Sequence, residues 1–383
     1  ALNKVNDFNH CYSFIEYDMG SSFLGSIASG LSGVSQADID ATDAYNNFDI
    51  PWKSLLAWDT YLIDKCGEPG FDYIGATENI YTDDAGYTTI STGNLNKDFL
   101  RETSGNVYNL AMNFGLNISD RFYAGANLNV FTVAYRENMT YGESAVYNEF
   151  QTGFREMQYN YNQETEGSGA NVQLGFIWIP FSLLRIGATY TTPTLYELAD
   201  SWGESMISRF DASSGYDSKE AYSPTGSYAY QVKAPGRFTL GTALVLGRTG
   251  LISMDYEYVN YGQTRMADER GDRRLFSDVN AYMKDNLSEC SIIKLGAEYN
   301  LSNRTSIRGG WQSYVYQQPE YRVVSLGFGH NFSETSGIDV AYRMLSTRPY
   351  WQNVYDAYDG LQVPQMKVFP KSNQLMFTYK VKF

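Results

Sequence analysis

Two histidines and three cysteines are the side chains of this sequence that could support acid–base chemistry or bind a transition metal near neutral pH. His10 and His330 stand far apart in the chain, and Cys11, Cys66 and Cys290 have unrelated spacings. Such spacings indicate neither a disulfide framework nor a zinc site. No Gly-x-Ser-x-Gly nucleophile elbow is present either. We therefore expect no enzymatic activity, no bound metal and no cofactor.

A second chemical set is a group of charged residues, which the alternation described below places on one face of the strands. The acidic and basic members are nearly balanced in number, so two interpretations are open. Cross-strand ion pairs would stiffen the wall, whereas a charged ring could direct a ligand carboxylate towards Arg or Lys. The set is Arg185, Asp255, Glu257, Lys294, Glu298, Arg308, Asp339 and Arg343.

A third set is apolar and lies in the segment 19–104, where its members recur at helical spacing. Pro51 suits the first turn of the second helix. The two helices could present a groove that binds a hydrophobic molecule, or they could bury these residues as the core of the segment. The set is Phe23, Leu24, Ile27, Leu31, Trp52, Leu55, Leu56, Trp58 and Leu62.

The same segment is acidic, with 13 Asp and Glu against 4 Lys and Arg over residues 20–104. Carboxylates such as those of Asp83 and Asp84 could bind Ca²⁺, but none has EF-hand spacing. We expect a solvated acidic surface.

The elements that must position these residues are strands, because the dominant pattern has period two. Between Tyr108 and Ile118 every even residue is apolar and every odd residue is small or polar. The pattern recurs between Leu375 and Phe383. We predict about twelve strands, over residues 1–18, 105–118, 121–137, 167–180, 184–198, 231–247, 250–262, 289–301, 304–318, 320–332, 336–348 and 372–383.

The connections between these strands are unequal. Short turns rich in Gly, Asn, Asp and Ser alternate with long segments, predicted at 19–104, 138–166, 199–230, 263–288 and 349–371. Short turns at one end and long loops at the other are typical of an outer-membrane barrel. The predicted fold class is therefore all-β, a single antiparallel transmembrane β-barrel over residues 1–383. A soluble β-sandwich would explain the alternation but not the unequal connections.

Composition agrees with this fold class. The chain has 383 residues, a net charge of −14 and 16 % aromatic residues. A nucleic-acid partner is excluded by the acidic balance, and disorder by the aromatic content. No run of about 18 apolar residues occurs, which excludes a helical membrane protein. The chain ends with the alternating residues Tyr379, Val381 and Phe383. This pattern, with an aromatic residue in the last position, is similar to the strand signal that outer-membrane assembly machinery recognises.

Five stretches resemble the FadL/TodX family of outer-membrane transporters for long-chain fatty acids and other hydrophobic compounds. They resemble most the branch with a long early extracellular loop, whose members are often named hemin receptors. The stretches are Asn-Asp-Phe-Asn at 6–9, Pro-Trp-Lys-Ser-Leu-Leu-Ala-Trp-Asp-Thr-Tyr-Leu-Ile at 51–63, Leu-Arg-Ile-Gly-Ala-Thr-Tyr-Thr-Thr-Pro-Thr at 184–194, Asp-Tyr-Glu-Tyr-Val-Asn-Tyr at 255–261 and Leu-Gly-Ala-Glu-Tyr at 295–299.

This resemblance implies a Gram-negative outer-membrane location, contact with outer-membrane lipid, and passive uptake of hydrophobic small molecules that first dock on the extracellular helices. It also implies fourteen strands and an N-terminal plug with an Asn-Pro-Ala motif. The plug and the first strands are absent from this sequence, and we expect them to precede it in the full protein. The alternative function is that of a non-transporting accessory barrel, which serves as scaffold or partner in a secretion or assembly complex.

Overall fold

Alternating apolar and polar residues produce one large antiparallel sheet. The computed structural model describes residues 2–18, 20–47, 49–68, 70–315 and 321–381. Its strands are β1 (Leu2–Asp7), β2 (His10–Asp18), β3 (Ile63–Lys65), β4 (Tyr73–Gly75), β5 (Glu78–Thr82), β6 (Thr88–Thr92), β7 (Leu95–Asn117), β8 (Phe122–Ala145), β9 (Phe154–Phe181), β10 (Leu184–Thr191), β11 (Thr194–Phe210), β12 (Lys219–Tyr222), β13 (Gly226–Ala234), β14 (Arg237–Val245), β15 (Gly250–Asn260), β16 (Arg265–Asp268), β17 (Glu289–Asn300), β18 (Thr305–Val315), β19 (Tyr321–Asn331), β20 (Ser336–Thr347), β21 (Tyr350–Asn353), β22 (Gln365–Val368) and β23 (Lys371–Val381).

Seventeen of these strands form twelve consecutive positions of one wall. Strands β1 and β2 follow each other along β7, which pairs with β8, and β8 pairs with β9. Next, β10 and β11 both pair with the other edge of β9. On their far side, β10 pairs with β14, and β11 pairs with β13 and then with β12. The following position holds β15, which pairs with β14, and β16, which pairs with β13. The wall then continues from β15 with β17, β18, β19, β20 and finally β23, each paired with the one before it. The predicted antiparallel β-barrel class and its twelve strands in this chain are confirmed; fourteen in the full protein stays a prediction.

The two ends of the wall differ as the sequence predicts. Tight turns connect the strands at one end, at 118–121, 182–183, 246–249, 301–304 and 332–335. Asp120 and Gly247 have positive φ there, a conformation that Asp and Gly tolerate in turns. We call this end the turn end and the opposite one the loop end.

Strands at the loop end are longer than the sequence predicts. Strand β7 begins at Leu95, so the long connection spans 19–94 rather than 19–104. Most of the predicted loops 138–166 and 199–230 are also strand, since β9 alone has 28 residues. The outward residues of these extensions are polar because they lie beyond the apolar belt, whereas some inward residues, such as Tyr141 and Met157, are apolar and pack against the cap. The extensions therefore lack the outward apolar row on which the prediction depended.

The outward face of the wall is apolar and exposed. Phe114, Leu326 and Phe377 are 71 %, 63 % and 68 % exposed, and other strands of the wall expose similar side chains, such as Leu174 and Leu240. A soluble sandwich would bury one face of each sheet, so this belt excludes the sandwich. It is the surface that a bilayer-spanning barrel presents to lipid. Among the described residues, no helix is long and apolar enough to cross a membrane.

A cap of short elements covers the loop end. Its helices are α1 (Phe23–Gly30), α2 (Gln36–Ile39) and α3 (Trp52–Asp59); a fourth helix, α4 (Ser277–Asn286), lies between β16 and β17. Residues of α1 and α3 form one core with inward side chains of the extended strands, such as Tyr141, Met157 and Met206. Tyr355 and Tyr358, from the connection between β20 and β23, belong to the same core. The largest buried core of the described chain therefore lies in the cap.

Candidate functional site: the cap and the lumen

Helix α1 is attached to the wall by a buried carboxylate. Ser22 caps the helix by accepting the Gly25 N–H, and the Phe23 N–H donates to Glu143 Oε1 of β8 at 2.7 Å. The Tyr141 hydroxyl donates to the same oxygen at 2.9 Å. Burial raises the pKa of Glu143 to about 7, although the nearby Lys97 ammonium opposes this shift.

Lys97 and Glu78 complete this buried polar group. The Lys97 ammonium donates to the Ser21 carbonyl at 2.6 Å and to the Tyr355 hydroxyl at 3.2 Å. Glu78 accepts the Gly75 N–H at 2.8 Å, and burial raises its pKa to about 7 as well. A Cβ on Gly25 would lie 2.5 Å from Glu78 Oε1, so helix α1 needs glycine at this position.

The predicted apolar docking residues lie mainly inside the cap. Seven of the nine are at most 6 % exposed and pack in its core, namely Phe23, Leu24, Ile27, Leu31, Leu55, Leu56 and Leu62. Trp52 and Trp58 are only partly buried. The Trp58 indole donates to Asp40 Oδ1 at 2.9 Å, and that of Trp52 donates to the Tyr45 carbonyl at the same distance. Ligand binding by this set stays a prediction, and the two tryptophans retain the accessible surface for it.

Trp52 lies where the cap meets the wall. Its ring centroid is 5.5 Å from that of Trp202 on β11 and 5.8 Å from that of Tyr45. Beside Trp202 on the inward face, Glu204 accepts a hydrogen bond from the Tyr159 hydroxyl at 3.0 Å. Trp202 was missed in the sequence because it falls in a predicted loop. The alternation of Tyr196, Leu198, Asp200, Trp202, Glu204 and Met206 was the available signal.

The predicted charged set lies on the inward face, and most of it is paired. Glu257 accepts from Lys294 and from Arg237, both at 2.7 Å. Arg308 bridges Glu298 at 2.6 Å and Asp339 at 2.8 Å, and Asp339 also pairs with Lys380. Cross-strand pairing, one of the two interpretations of this set, therefore describes these five predicted residues. Arg237 was not in the predicted set.

The remaining three charged residues make weaker contacts. Arg343 donates to the Gln374 side chain at 3.3 Å. Arg185 and Asp255 occupy neighbouring inward rows, opposite Ala243 and Gly241. Arg185 and Arg343 pair with no carboxylate in the part of the chain that the structure describes, so they keep the capacity to attract an anionic head group.

A neutral amide ladder covers the other side of the lumen. Asn109 donates to Asn129 at 3.1 Å, Asn129 to Asn171 at 2.9 Å, and Asn171 to Thr194 at 2.7 Å. The ladder crosses four neighbouring strands and presents no charge. At the level of the ladder the lumen is therefore lined by uncharged amides, whereas the opposite strands carry ion pairs.

Few side chains in the described part of the chain are suited to catalysis or metal binding. His10 is exposed, and His330 Nδ1 lies 3.0 Å from the Thr305 hydroxyl. Cys11, Cys66 and Cys290 are not joined by disulfide bonds. Over the described ranges, no group of three or more His, Cys, Asp or Glu is arranged to hold a metal ion. Phe383, the last residue of the predicted assembly signal, lies outside the described residues, whereas Tyr379 and Val381 are exposed on β23.

The chain is similar to solved structures of transporters for hydrophobic compounds. The chain is similar to the Pseudomonas putida toluene transporter TodX, at 13 % identity and a TM-score of 0.49 over 80 % of this chain and 87 % of that one. It is also similar to the Ralstonia pickettii toluene transporter TbuX, at 11 % identity and 0.37 over 81 % and 84 %, and to a Pseudomonas aeruginosa FadL homologue, at 10 % identity and 0.37 over 99 % and 87 %.

Comparison by sequence adds no relative. No family model matches the chain, and no curated protein matches it. The fold class therefore rests on the strand pairing and on the exposed apolar belt described above.

Proposed function

We propose that this chain forms an outer-membrane channel for the passive uptake of hydrophobic small molecules. The observation that carries the proposal is the difference in polarity between the two faces of the wall. Its outward belt is apolar and exposed, as lipid requires, and its inward face is polar and ion-paired beneath a cap with a large apolar core. The loop end is then extracellular, and no energy source or cofactor is needed.

The entry point of this pathway is the contact between Trp52 and Trp202. Aromatic rings bind apolar molecules with large contact area, and these two rings connect the cap with the inward face of β11. A molecule that displaces one ring from the other would pass from the cap to the lumen. Long-chain fatty acids are the substrate class that we propose, with Arg185 or Arg343 attracting the carboxylate.

The test is uptake by the full-length protein in cells that lack their own transporter for the probe. Labelled oleate and toluene are the two probes. Trp52→Leu and Trp202→Leu are expected to lower initial uptake by on the order of tenfold, because each removes an aromatic contact at the entry. Trp311→Leu is the matched control, since Trp311 is on the outward belt, and it should transport normally.

Three outcomes would contradict parts of the proposal. Uptake of neither probe above the empty-vector level would overturn transport and favour an accessory barrel. Equal loss in all three tryptophan variants would overturn the entry point. Uptake of toluene without oleate would overturn the fatty-acid class.

A further inference from the structure

The outward face of β11, β13 and β16 carries a cluster of unpaired basic residues. Lys233 lies opposite Leu195 on one side and opposite Arg265 on the other. Arg273, from the connection after β16, lines the same cleft of about 280 Å³. We call Lys233, Arg265 and Arg273 the rim cluster. Glu197 is the acidic residue in the lining of the cleft, so the cluster has a net positive charge in a chain whose net charge is −14.

The rim cluster is free to bind an anion. None of its three members pairs with a carboxylate among the residues that the structure describes. The guanidinium of Arg265 is held in position because it donates to the carbonyls of Gly262 and Thr264, at 2.7 and 2.6 Å. Those carbonyls carry no net charge, so they orient the arginine without neutralising it. Arg274, just beyond the cluster, is in contrast paired with Asp272.

The position of the rim cluster indicates what it faces. Strand β14 continues the chain of β13 after Pro235 and Gly236, and its outward residues Phe238 and Leu240 belong to the exposed apolar belt. Leu195, in the same row as Lys233, is 61 % exposed. The basic residues therefore lie at the loop-end margin of the belt, where a bilayer changes from acyl chains to head groups.

Helix α4 follows the cluster in the chain but is attached from the inward side of the wall. Phe276, just before the helix, packs on Tyr228, which lies opposite Asp200 on the inward face. The Asn280 side chain pairs with both the N–H and the carbonyl of Met266. We therefore assign the outward site to the rim cluster and the apolar belt, without helix α4.

We infer that the rim cluster forms a binding site for a phosphate-bearing lipid of the outer leaflet. The lipid phosphates would contact Lys233, Arg265 and Arg273, and its acyl chains would lie along Leu195 and the belt. Arginine suits this role because its fork of N–H donors matches phosphate oxygens. The inference rests on the outer-membrane location that the proposed function assigns, but not on transport.

The test is lipid retention by the full chain, purified in a non-ionic detergent and measured by native mass spectrometry. The probes are diphosphorylated lipid A, the same lipid with its phosphates removed, and phosphatidylcholine. Lys233→Gln, Arg265→Gln and Arg273→Gln are combined in one rim variant. Each basic residue near an anionic lipid surface contributes a comparable increment, so the triple change should weaken lipid A binding on the order of a hundredfold. Added salt should weaken wild-type binding.

A matched control removes the same charge from the other end of the barrel. Arg121→Gln, Arg248→Gln and Arg304→Gln replace basic residues at the turn end, and this control should bind lipid A as the wild type does. Equal retention by the rim variant and the wild type would overturn the inference, as would equal loss in the control. Equal binding of lipid A with and without its phosphates would also overturn it.

Uptake measured on the same variants separates this inference from the proposed function. The rim cluster is outside the lumen, so the rim variant should transport the hydrophobic probes at the wild-type rate. A chain that binds lipid A through the rim cluster but transports neither probe would overturn the proposed function alone.

Discussion

At the scale of single residues, Glu143 makes the attachment of the cap dependent on pH. Its pKa is about 7 in the folded chain, whereas an exposed glutamate titrates near 4.3. Between these values the folded state binds the proton that the open state has lost, so stability decreases as pH rises. We expect the free energy of cap opening to be about 3 kcal/mol lower at pH 8 than at pH 4, with Glu78 adding to the same trend.

Hydrogen exchange at the Phe23 amide, corrected for its intrinsic rate, measures this opening. Glu143→Gln keeps a hydrogen-bond acceptor for Phe23 and Tyr141 but cannot ionise. The variant should therefore lose most of the pH dependence and should open less readily than wild type at pH 8. A wild-type opening free energy that stays constant or rises between pH 4 and pH 8 would contradict the prediction.

Paired charges within the wall have a different role from Glu143. Arg308 on β18 pairs with Glu298 on the adjacent β17 and reaches across β19 to Asp339 on β20, so one ion-pair chain extends over four neighbouring strands. Such chains fix the register of a wall whose inward rows would otherwise be free to slip. Arg185 and Arg343, the unpaired basic members of the predicted set, are the residues to which we assign the proposed carboxylate contact.

At the scale of elements, the cap depends on the packing between α1 and α3. Leu56 of α3 is fully buried in this core. Leu56→Ala should destabilise the cap by about 2–5 kcal/mol, because it removes buried methyl groups and leaves a cavity. The measurement is limited proteolysis within residues 19–94, which should become faster, while the barrel keeps its heat-modifiable mobility on SDS gels.

Leu275→Ala is the control for this change, because Leu275 is 76 % exposed and its truncation leaves no cavity. Equal protease resistance of Leu56→Ala and the wild type would show that the cap does not depend on this core. Loss of heat-modifiable mobility in Leu56→Ala would show that cap and wall unfold together.

Local pattern was sufficient for the wall but not for the cap. The alternation from Tyr108 to Ile118 predicted an outward apolar row, and the structure has it. The pairing of Phe23 with Glu143, 120 positions apart, leaves no trace in local sequence, and neither does the burial of Lys97. Trp202 was missed for a related reason: above the apolar belt the outward residues are polar and the inward row mixes polar and apolar side chains, so the period-two pattern weakens although the strand continues.

At the scale of the whole molecule, the chain separates its charges by surface. Ion pairs and amides occupy the inward face, acidic residues are concentrated in the cap, and the unpaired rim cluster lies outside, at the margin of the belt. Many of the aromatic residues of the sequence lie in the outward rows and at the loop end. This arrangement suits a barrel that crosses a bilayer once with every strand, since each surface then matches the medium it meets.

The difference in polarity between the two faces can be tested with two adjacent residues near the middle of β19. Leu326 points outward and is 63 % exposed, whereas Ser325 points inward, opposite Arg343 and Gly310. Leu326→Arg should destabilise the barrel in lipid by about 2–4 kcal/mol, the cost of a cation near the bilayer midplane. Ser325→Arg adds the same charge in the polar lumen and should cost much less. Urea titration of the full protein folded into phosphatidylcholine vesicles measures both, and equal destabilisation by the two variants would contradict the assignment of the faces.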